Sequence, residues 1–246
     1  MKWQRIAAVV AGTLVLSACA VSTTSGQAVS VSSSEAATPG SGESATTSPG
    51  GAVSTGSGEV RTESRQVSGF TAVELQGFGD MAIEQTGTES LTIEAEDNIL
   101  PKLTSDVSGG TLRLGIKPNT SLQTTKPIKY RLTVKDLTGV SISGSGSASA
   151  PKITTSRFTA QVKGSGTITI GGTADTQEII IAGAGKYLAA ELASKTATAT
   201  ITGVGDAEVM VADQLRVKII GSGSLTYYGN PTVDQSIIGS GRVIKK

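Results

Sequence analysis

Apolar and polar residues alternate along most of the chain after residue 60, which is the pattern of extended strands that bury one face. The alternation runs through seven Gly-x-Gly motifs that share one frame, with mostly apolar residues two and four positions before the first glycine and after the second. These motifs begin at Gly77, Gly144, Gly164, Gly183, Gly203, Gly221 and Gly239. From the second motif on they recur every 18 to 20 residues, a period typical of stacked repeats. The pattern predicts an all-β parallel β-solenoid in which each turn, or rung, is strand, glycine corner and strand.

The same count by twos predicts which way each corner residue faces. It places both glycines of a pair on the inward face, as for Gly164 and Gly166, and the middle residue, here Ser165, on the outward face. Two inward glycines predict a bend whose interior has no room for a Cβ atom. Four middle residues are serines and predict an outward polar ladder: Ser145, Ser165, Ser222 and Ser240.

The stretch between the first two motifs is about three rungs long and lacks the repeat. It contains alternating segments, a helical turn expected around Pro101, and a tight turn expected at Gly109-Gly110. The strands predicted here are Leu91–Glu96, Thr111–Ile116 and Ile128–Val134. We interpret residues 61–139 as an irregular N-terminal part that caps an open edge, and residues 140–246 as regular rungs. Charged residues close the last rung in Arg242–Lys246.

Three sequence blocks precede the Gly-Ser-Gly rungs: Phe70–Leu75, Leu91–Pro101 and Gly110–Leu114. Together with the rungs they make the chain resemble the DUF2807 family of auto-transporter adhesin head GIN domains, found in bacterial surface and lipoprotein-like sequences. The resemblance covers roughly residues 65–242. It implies a right-handed β-helix-like fold and a cell-envelope setting, and it supplies no established catalytic or ligand-binding residues.

The first 18 residues are predicted to be a lipoprotein signal peptide. Lys2 and Arg5 precede a short apolar run that is too short to span a bilayer. The run ends in Leu16–Cys19, which resembles a bacterial lipobox, so we expect lipidation of Cys19 and anchoring on the extracytoplasmic face of the cell membrane. Cys19 is the only cysteine of the chain, so an intramolecular disulfide is excluded. The alternative is an ordinary secretory signal with an incidental cysteine.

Residues 19–60 are rich in Ser, Thr, Gly and Pro and contain almost no large apolar side chains. Such a segment cannot bury enough apolar area to offset its ordering entropy, so it is predicted to be a disordered tether. The tether would hold a solenoid domain at residues 61–246 away from the membrane.

Composition excludes several kinds of chemistry. The chain has no histidine, and its net charge of +1 does not favour a nucleic-acid partner. The glycine motifs do not resemble phosphate-binding loops, because no predicted long helix follows them. We therefore expect no cofactor, no metal and no catalytic residues.

Weaker candidates remain open. Asp80 and Asp206 follow glycine corners and could bind calcium, although ordinary turn roles are favoured. An acidic cluster, Glu94, Glu96 and Asp97, could bind a cation or protonate a sugar, but a solvated strand face is the favoured interpretation. Tyr228 could stack on a sugar, whereas its neighbour Tyr227 has inward parity.

These observations favour a non-catalytic adhesion or interaction module, anchored by lipid, that binds a surface glycan or protein. The alternative is a polysaccharide-binding or polysaccharide-cleaving β-helix protein, which would need clustered acids, bases and aromatics on one face. A third class is a small-ligand or envelope-stress sensor that acts through a partner. Such a sensor would normally require a transmembrane or cytoplasmic output element.

Overall fold

The computed structural model describes residues 53–246, so the predicted signal peptide, Cys19 and most of the predicted tether lie outside the described residues. Within this range almost all secondary structure is β-strand, with one short 3₁₀ turn at Leu100–Lys102. The strands are β1 Val53–Thr55, β2 Val60–Arg65, β3 Ala72–Gly77, β4 Asp80–Gln85, β5 Ser90–Glu96, β6 Leu103–Ser108, β7 Thr111–Ile116, β8 Ser121–Gln123, β9 Lys129–Val134, β10 Gly139–Gly144, β11 Ser147–Gly164, β12 Thr167–Gly183, β13 Lys186–Gly203, β14 Asp206–Gly221, β15 Ser224–Tyr228, β16 Thr232–Gly239 and β17 Arg242–Lys245.

The rungs stack in parallel from β3 and β10 to β16 and β17, forming a β-solenoid of about five turns. Strands β10, β11, β12, β13, β14 and β16 pair in a register that sets each corner glycine beside its equivalent one rung away. Strand β10 also pairs with β3, so Gly144 lies beside Gly77. The predicted all-β parallel solenoid is confirmed.

Ladders of aliphatic side chains form the core. One ladder consists of Ile142, Val162, Ile181, Ile201 and Ile219, each 0% exposed. Burying each such side chain contributes about 1.5–3 kcal/mol before conformational entropy is subtracted. The repeated inward positions of the sequence frame therefore supply the cohesion of the rungs, as predicted.

The last rung departs from this burial pattern. Ile237 and Lys245 occupy predicted inward positions, yet both are exposed, and Val243 is only half-buried. Among the described residues, no strand pairs with the outer edge of β16 or β17. The inward parity is right, but burial needs a neighbouring rung on both sides.

A cap built from antiparallel strands covers the opposite end of the stack. Strand β7 pairs with β3 and then with β6 through a hairpin at Gly109 and Gly110, whose φ angles are 59° and 73°. On the other side of the corner, β9 pairs with β4, β5 with β9, and β2 with β5. The predicted capping hairpin, the helical turn around Pro101 and the three predicted strands are all confirmed, with bounds shifted by one residue at β5 and β9.

The predicted domain boundary at residue 61 is corrected by the structure. Residues 53–60 were expected to belong to the disordered tether, yet β1 pairs in parallel with β8, and Gly56 donates to the Gln123 carbonyl over 2.8 Å. The low hydrophobicity of residues 53–60 did not predict their order correctly, because backbone pairing and polar side-chain contacts hold this segment in place. We call residues 53–59 the strap.

The prediction that both corner glycines face inward is half right. The second glycines are buried in all but the first and last corners: a Cβ on Gly166 would lie 2.6 Å from Cγ2 of Ile142 in the rung below. The first glycines are not. Gly164 is exposed, has a φ of +114°, and a Cβ there would lie 2.6 Å from the carbonyl oxygen of Gly144. The positive φ interrupts the two-residue alternation, so the first glycine is required by the neighbouring backbone and not by the core.

Candidate functional site

The two aspartates considered for calcium are not brought together. Asp80 and Asp206 lie in one row of equivalent positions, but three intervening rungs separate them. Each carboxylate accepts a hydrogen bond from a serine one rung further, over 2.7 Å from Ser147 and 2.6 Å from Ser224. Across residues 53–246 no three potential ligands cluster as a metal site. Both aspartates link neighbouring rungs.

The predicted acidic cluster separates into different roles. Glu94 is half-buried and forms an ion pair with Lys129 at 2.9 Å, and the hydrogen bond from Lys129 lowers the pKa of its carboxyl. Glu96 is only 1% exposed and accepts hydrogen bonds from the Gly58 amide at 2.8 Å and the Thr125 amide at 3.0 Å. A further bond from the Thr125 hydroxyl, followed by these amides, outweighs desolvation and lowers the pKa of Glu96.

These contacts make Glu96 a clamp for the strap. Its carboxylate joins the strap, through Gly58, to the segment after β8, through Thr125. Asp97 accepts a bond from the Ser57 hydroxyl, and Asn98 binds the Thr55 carbonyl at 2.8 Å. The favoured solvated-face interpretation is wrong for Glu96, because the tertiary structure folds the strap over it.

Sequence reasoning missed a buried polar network inside the rungs. The Tyr187 hydroxyl donates to Oε1 of Gln177 at 2.8 Å, Nε2 of Gln177 donates to the Ser194 hydroxyl at 2.8 Å, and that hydroxyl donates to the Met210 carbonyl at 2.8 Å. Desolvation raises the pKa of Tyr187. Gln177 has inward parity, two residues before the buried Ile179, and this was the available signal. Tyr227 and Tyr228 are both half-buried.

The outward serines are exposed as predicted, but they do not form a continuous ladder. Ala184 and Val204 occupy the equivalent middle positions between Ser165 and Ser222, and Val204 is 58% exposed. The corner row therefore changes from polar to apolar along the stack, and it lies on a convex edge.

A concave surface that was not predicted lies elsewhere on the described chain. It is a groove of about 820 Å³ that crosses the rungs from the segment before β3 to β14. We call it the rung groove. Its lining consists of Thr71, Asp136, Thr138, Thr154, Thr155, Ser156, Thr173, Ala174, Asp175, Ala193, Ser194, Lys195 and Ala212.

Small inward residues form the floor of the rung groove. Ala174 and Ser194 pair in register on adjacent rungs and are 5% and 6% exposed. The exposed residues on either side of them, such as Thr173 and Asp175, form the walls. The strand pairings have irregular register close to this bend.

One ion pair dominates the electrostatics of the groove wall. Nζ of Lys195 lies 2.7 Å from Oδ1 of Asp175 one rung below. The hydrogen bond with Asp175 and its charge, together with the charge of Asp213, raise the pKa of Lys195. The only basic side chain that lines the groove is therefore already matched by acids.

The family to which this chain belongs is shown by comparison with known protein families. The model of DUF2807, described as "Putative auto-transporter adhesin, head GIN domain", matches residues 69–231. The chain belongs to this family. The matched range begins just before β3 and ends just after β15, so it includes the cap hairpin, the rung groove and all but the last rung. The family description points to an adhesion-type module at the cell surface.

Solved structures share the fold of this DUF2807 member. A "putative adhesin" from Bacteroides fragilis is 24% identical with a TM-score of 0.65, covering 78% of this chain and 99% of its own. A "putative lipid binding protein" from Parabacteroides distasonis is 24% identical with a TM-score of 0.53, covering 79% and 100%. A "putative adhesin" from Parabacteroides merdae is 21% identical with a TM-score of 0.51, covering 79% and 99%.

No match is found among curated proteins. Within residues 53–246 there is also no helix of the length and hydropathy needed to cross a membrane.

Proposed function

We propose that this DUF2807 protein is a non-catalytic adhesion module, held by lipid at Cys19 on the extracytoplasmic face of the cell membrane, that binds a surface glycan or protein. The observation that carries the proposal is the rung groove, a concavity of about 820 Å³ on paired strands whose lining is rich in Ser and Thr. Sites built on regular elements are held more rigidly than sites on loops, which suits repeated weak contacts between cells.

The carboxyl groups whose pKa values are displaced lie in structural contacts. A glycosidase requires a carboxylic acid whose pKa is raised so that it stays protonated at neutral pH. The displaced carboxyl pKa values belong to Glu89, Glu94, Glu96 and Asp97, and all four are lowered. Each of these carboxylates accepts a hydrogen bond or forms an ion pair within the cap or with the strap.

The anchor follows from the lipobox-like segment ending at Cys19. Acyl chains contribute about 0.8 kcal/mol for each buried methylene, so two or more chains hold a protein durably. The test is Cys19→Ser, which we expect to move the protein from the detergent phase to the medium or the aqueous envelope compartment. Unchanged detergent partitioning of the variant would contradict the anchor.

The adhesive role is tested on cells that display the full-length protein. We expect such cells to bind a host-cell or matrix surface better than cells that lack it. Thr173→Trp, which fills the groove, should abolish the difference, while Ser165→Trp on the convex corner should preserve it. Retention of adhesion by the Thr173 variant would place the binding surface elsewhere. Release of reducing ends or unsaturated sugars from a polysaccharide panel would contradict the non-catalytic role.

A further inference from the structure

The rung groove carries a more specific inference than adhesion in general. We propose that it binds a neutral, linear glycan lying along the solenoid axis, an assignment that rests on the proposed adhesive function.

Hydroxyl groups are the most frequent polar groups in the lining. Six lining residues besides Ser194 carry one: Thr71, Thr138, Thr154, Thr155, Ser156 and Thr173. A hydroxyl both donates and accepts, so a row of them matches the hydroxyls of a sugar, which do the same. Thr138 and Thr155 already donate to the carbonyls of Thr71 and Arg157, and their oxygens remain acceptors. Asp136 adds a carboxylate acceptor that forms no ion pair among the described residues.

The side chains of the lining do not suit a protein partner. Alanine is the largest apolar residue among them, and no aromatic side chain contributes. Protein interfaces derive most of their affinity from aromatic, arginine or large aliphatic anchors that fill apolar pockets. The rung groove offers no such pocket.

Addition of a peptide strand is disfavoured at this surface. Within the groove β12 is paired on both sides, with β11 and with β13. The groove stretch of β11, Thr154–Ser156, pairs with β12 alone, because β4 and β10 pair with β11 only up to Ser149 and from Thr159 onward. On that open side the Gln85 side chain already binds the amide and the carbonyl of Thr154. Peptides that bind as an added strand require a free edge with unpaired amides and carbonyls, so we expect the ligand to bind mainly through side-chain groups.

The charges favour a neutral ligand over an acidic polysaccharide. Lys195 is paired with Asp175 at 2.7 Å and also lies near the charge of Asp213, so these two carboxylates offset its positive charge and reduce its attraction for a sulfate or carboxylate. Asp136 would repel such groups directly. A neutral glycan is not repelled by Asp136, and its hydroxyl groups can donate hydrogen bonds to the carboxylates of Asp136 and Asp175.

The direction of the groove indicates a linear ligand. From Thr71 the lining passes through Thr138, Ser156, Asp175 and Lys195 to Ala212, one rung at a time. Strands in a sheet are about 4.8 Å apart, so five steps span about 24 Å. That length accommodates several sugar residues of an unbranched chain.

The test is a binding titration of the full-length protein in detergent micelles against neutral linear glucans, mannans and xylans, with chondroitin sulfate and polygalacturonate as acidic arms. We expect at least one neutral polymer to bind and both acidic polymers to fail. Binding should change less than about twofold between low and high salt, because the contacts are not ionic.

Two variants locate the binding and one serves as a matched control. Thr173→Trp should weaken binding of the neutral polymer at least tenfold, and a tenfold loss equals about 1.4 kcal/mol of binding free energy. Ser156→Trp gives an independent block if the first variant fails to fold. Ser165→Trp carries the same new side chain on the convex corner and should bind like the wild type.

The outcomes separate the two proposals. Failure of every neutral polymer, binding only of the acidic ones, or equal loss in the Ser165 variant would overturn the glycan assignment. If groove-dependent cell adhesion persists in that case, the adhesive function stands and its ligand is of another class. If cell adhesion is also absent, both proposals are wrong.

Discussion

The regular rungs and the N-terminal cap of this protein rely on different kinds of contact. The rungs repeat one set of interactions, in which buried aliphatic ladders and stacked glycine corners recur from β10 to β14. The cap also buries apolar side chains, such as Ile93 and Tyr130, but it adds polar side-chain contacts that each occur once. Arg65 donates to the Leu103 carbonyl at 2.8 Å and to the Leu100 carbonyl at 2.9 Å, while Glu89 accepts from the Gly69 and Phe70 amides at 3.1 and 3.2 Å.

This difference shows how stability is distributed in a stack. A rung contacts only its neighbours, so its stability is close to a sum of similar local and interface contributions. The cap has no second copy of any contact, so each polar residue there has a unique role. We expect substitutions in the rungs to change global stability, and substitutions in the cap to release a local segment.

The largest effect should come from the glycine stack. Gly164→Val would place a Cβ 2.6 Å from the Gly144 carbonyl oxygen at a φ of +114°. Backbone strain and overpacking should together cost about 4 kcal/mol in the free energy of unfolding. Urea unfolding measures this. Gly87→Val is the matched control in the cap, because φ is +83° there but nothing lies within 4 Å of the added Cβ, so strain alone should cost about 1 kcal/mol.

A separate control tests the direction in which the corner residues point. Ser165→Val, on the exposed middle residue, should change the free energy of unfolding by less than about 0.5 kcal/mol. Equal destabilisation by the Ser165 and Gly164 substitutions would mean that the corner geometry described above is wrong.

A second prediction compares a middle rung with the last one. Ile181→Ala removes a side chain that is 0% exposed and leaves a cavity, so it should cost about 3 kcal/mol. Ile237→Ala occupies the equivalent frame position in the last rung, where the side chain is 36% exposed, and should cost about 1 kcal/mol. If thermal or urea unfolding gave similar losses for both, the last rung would be covered in solution.

A third prediction concerns the polar network inside the rungs. Tyr187→Phe removes the donor to Oε1 of Gln177, a fully buried group, and should cost about 1.5 kcal/mol. Tyr228→Phe is the control: its hydroxyl has no hydrogen-bond partner among the described residues, so the change should be close to zero. A neutral result for Tyr187→Phe would indicate that Gln177 finds another partner, which crystallography of the variant would reveal.

The smallest global effect, and the most local one, is expected at the cap. Glu96→Gln should raise hydrogen exchange at the Gly58 and Thr125 amides while leaving exchange in β12 and β13 unchanged. In the wild type the pKa of Glu96 is lowered, so its stabilising effect is complete above the ordinary carboxyl pKa and is lost as pH falls through the folded value. The strap should therefore open in acid.

Glu94→Gln is the control for the clamp, since Glu94 is more exposed and pairs with Lys129 on the strand surface. Exchange at Gly58 should be unaffected in that variant. Uniform acceleration across the rungs in Glu96→Gln would contradict a local clamp.

The repeat itself could be predicted because strand alternation and corner spacing are local properties of the chain. Inward positions such as Ile142 and Ile181 follow from a count by twos, and the cap hairpin follows from Gly109-Gly110. The facing of Gly164 could not be predicted in this way, since a positive φ interrupts the count.

The fold class, the number of corners and the aliphatic ladders can be read from the amino-acid sequence, because each depends on periodicity within about 20 residues. Three features could be seen only in the folded chain: the strap lies over Glu96, Gln177 contacts Tyr187 and Ser194, and the rung groove forms. These contacts join residues from different rungs or from opposite ends of the cap. Their positions depend on strand register and on bends between strands, which the alternation of side chains does not encode.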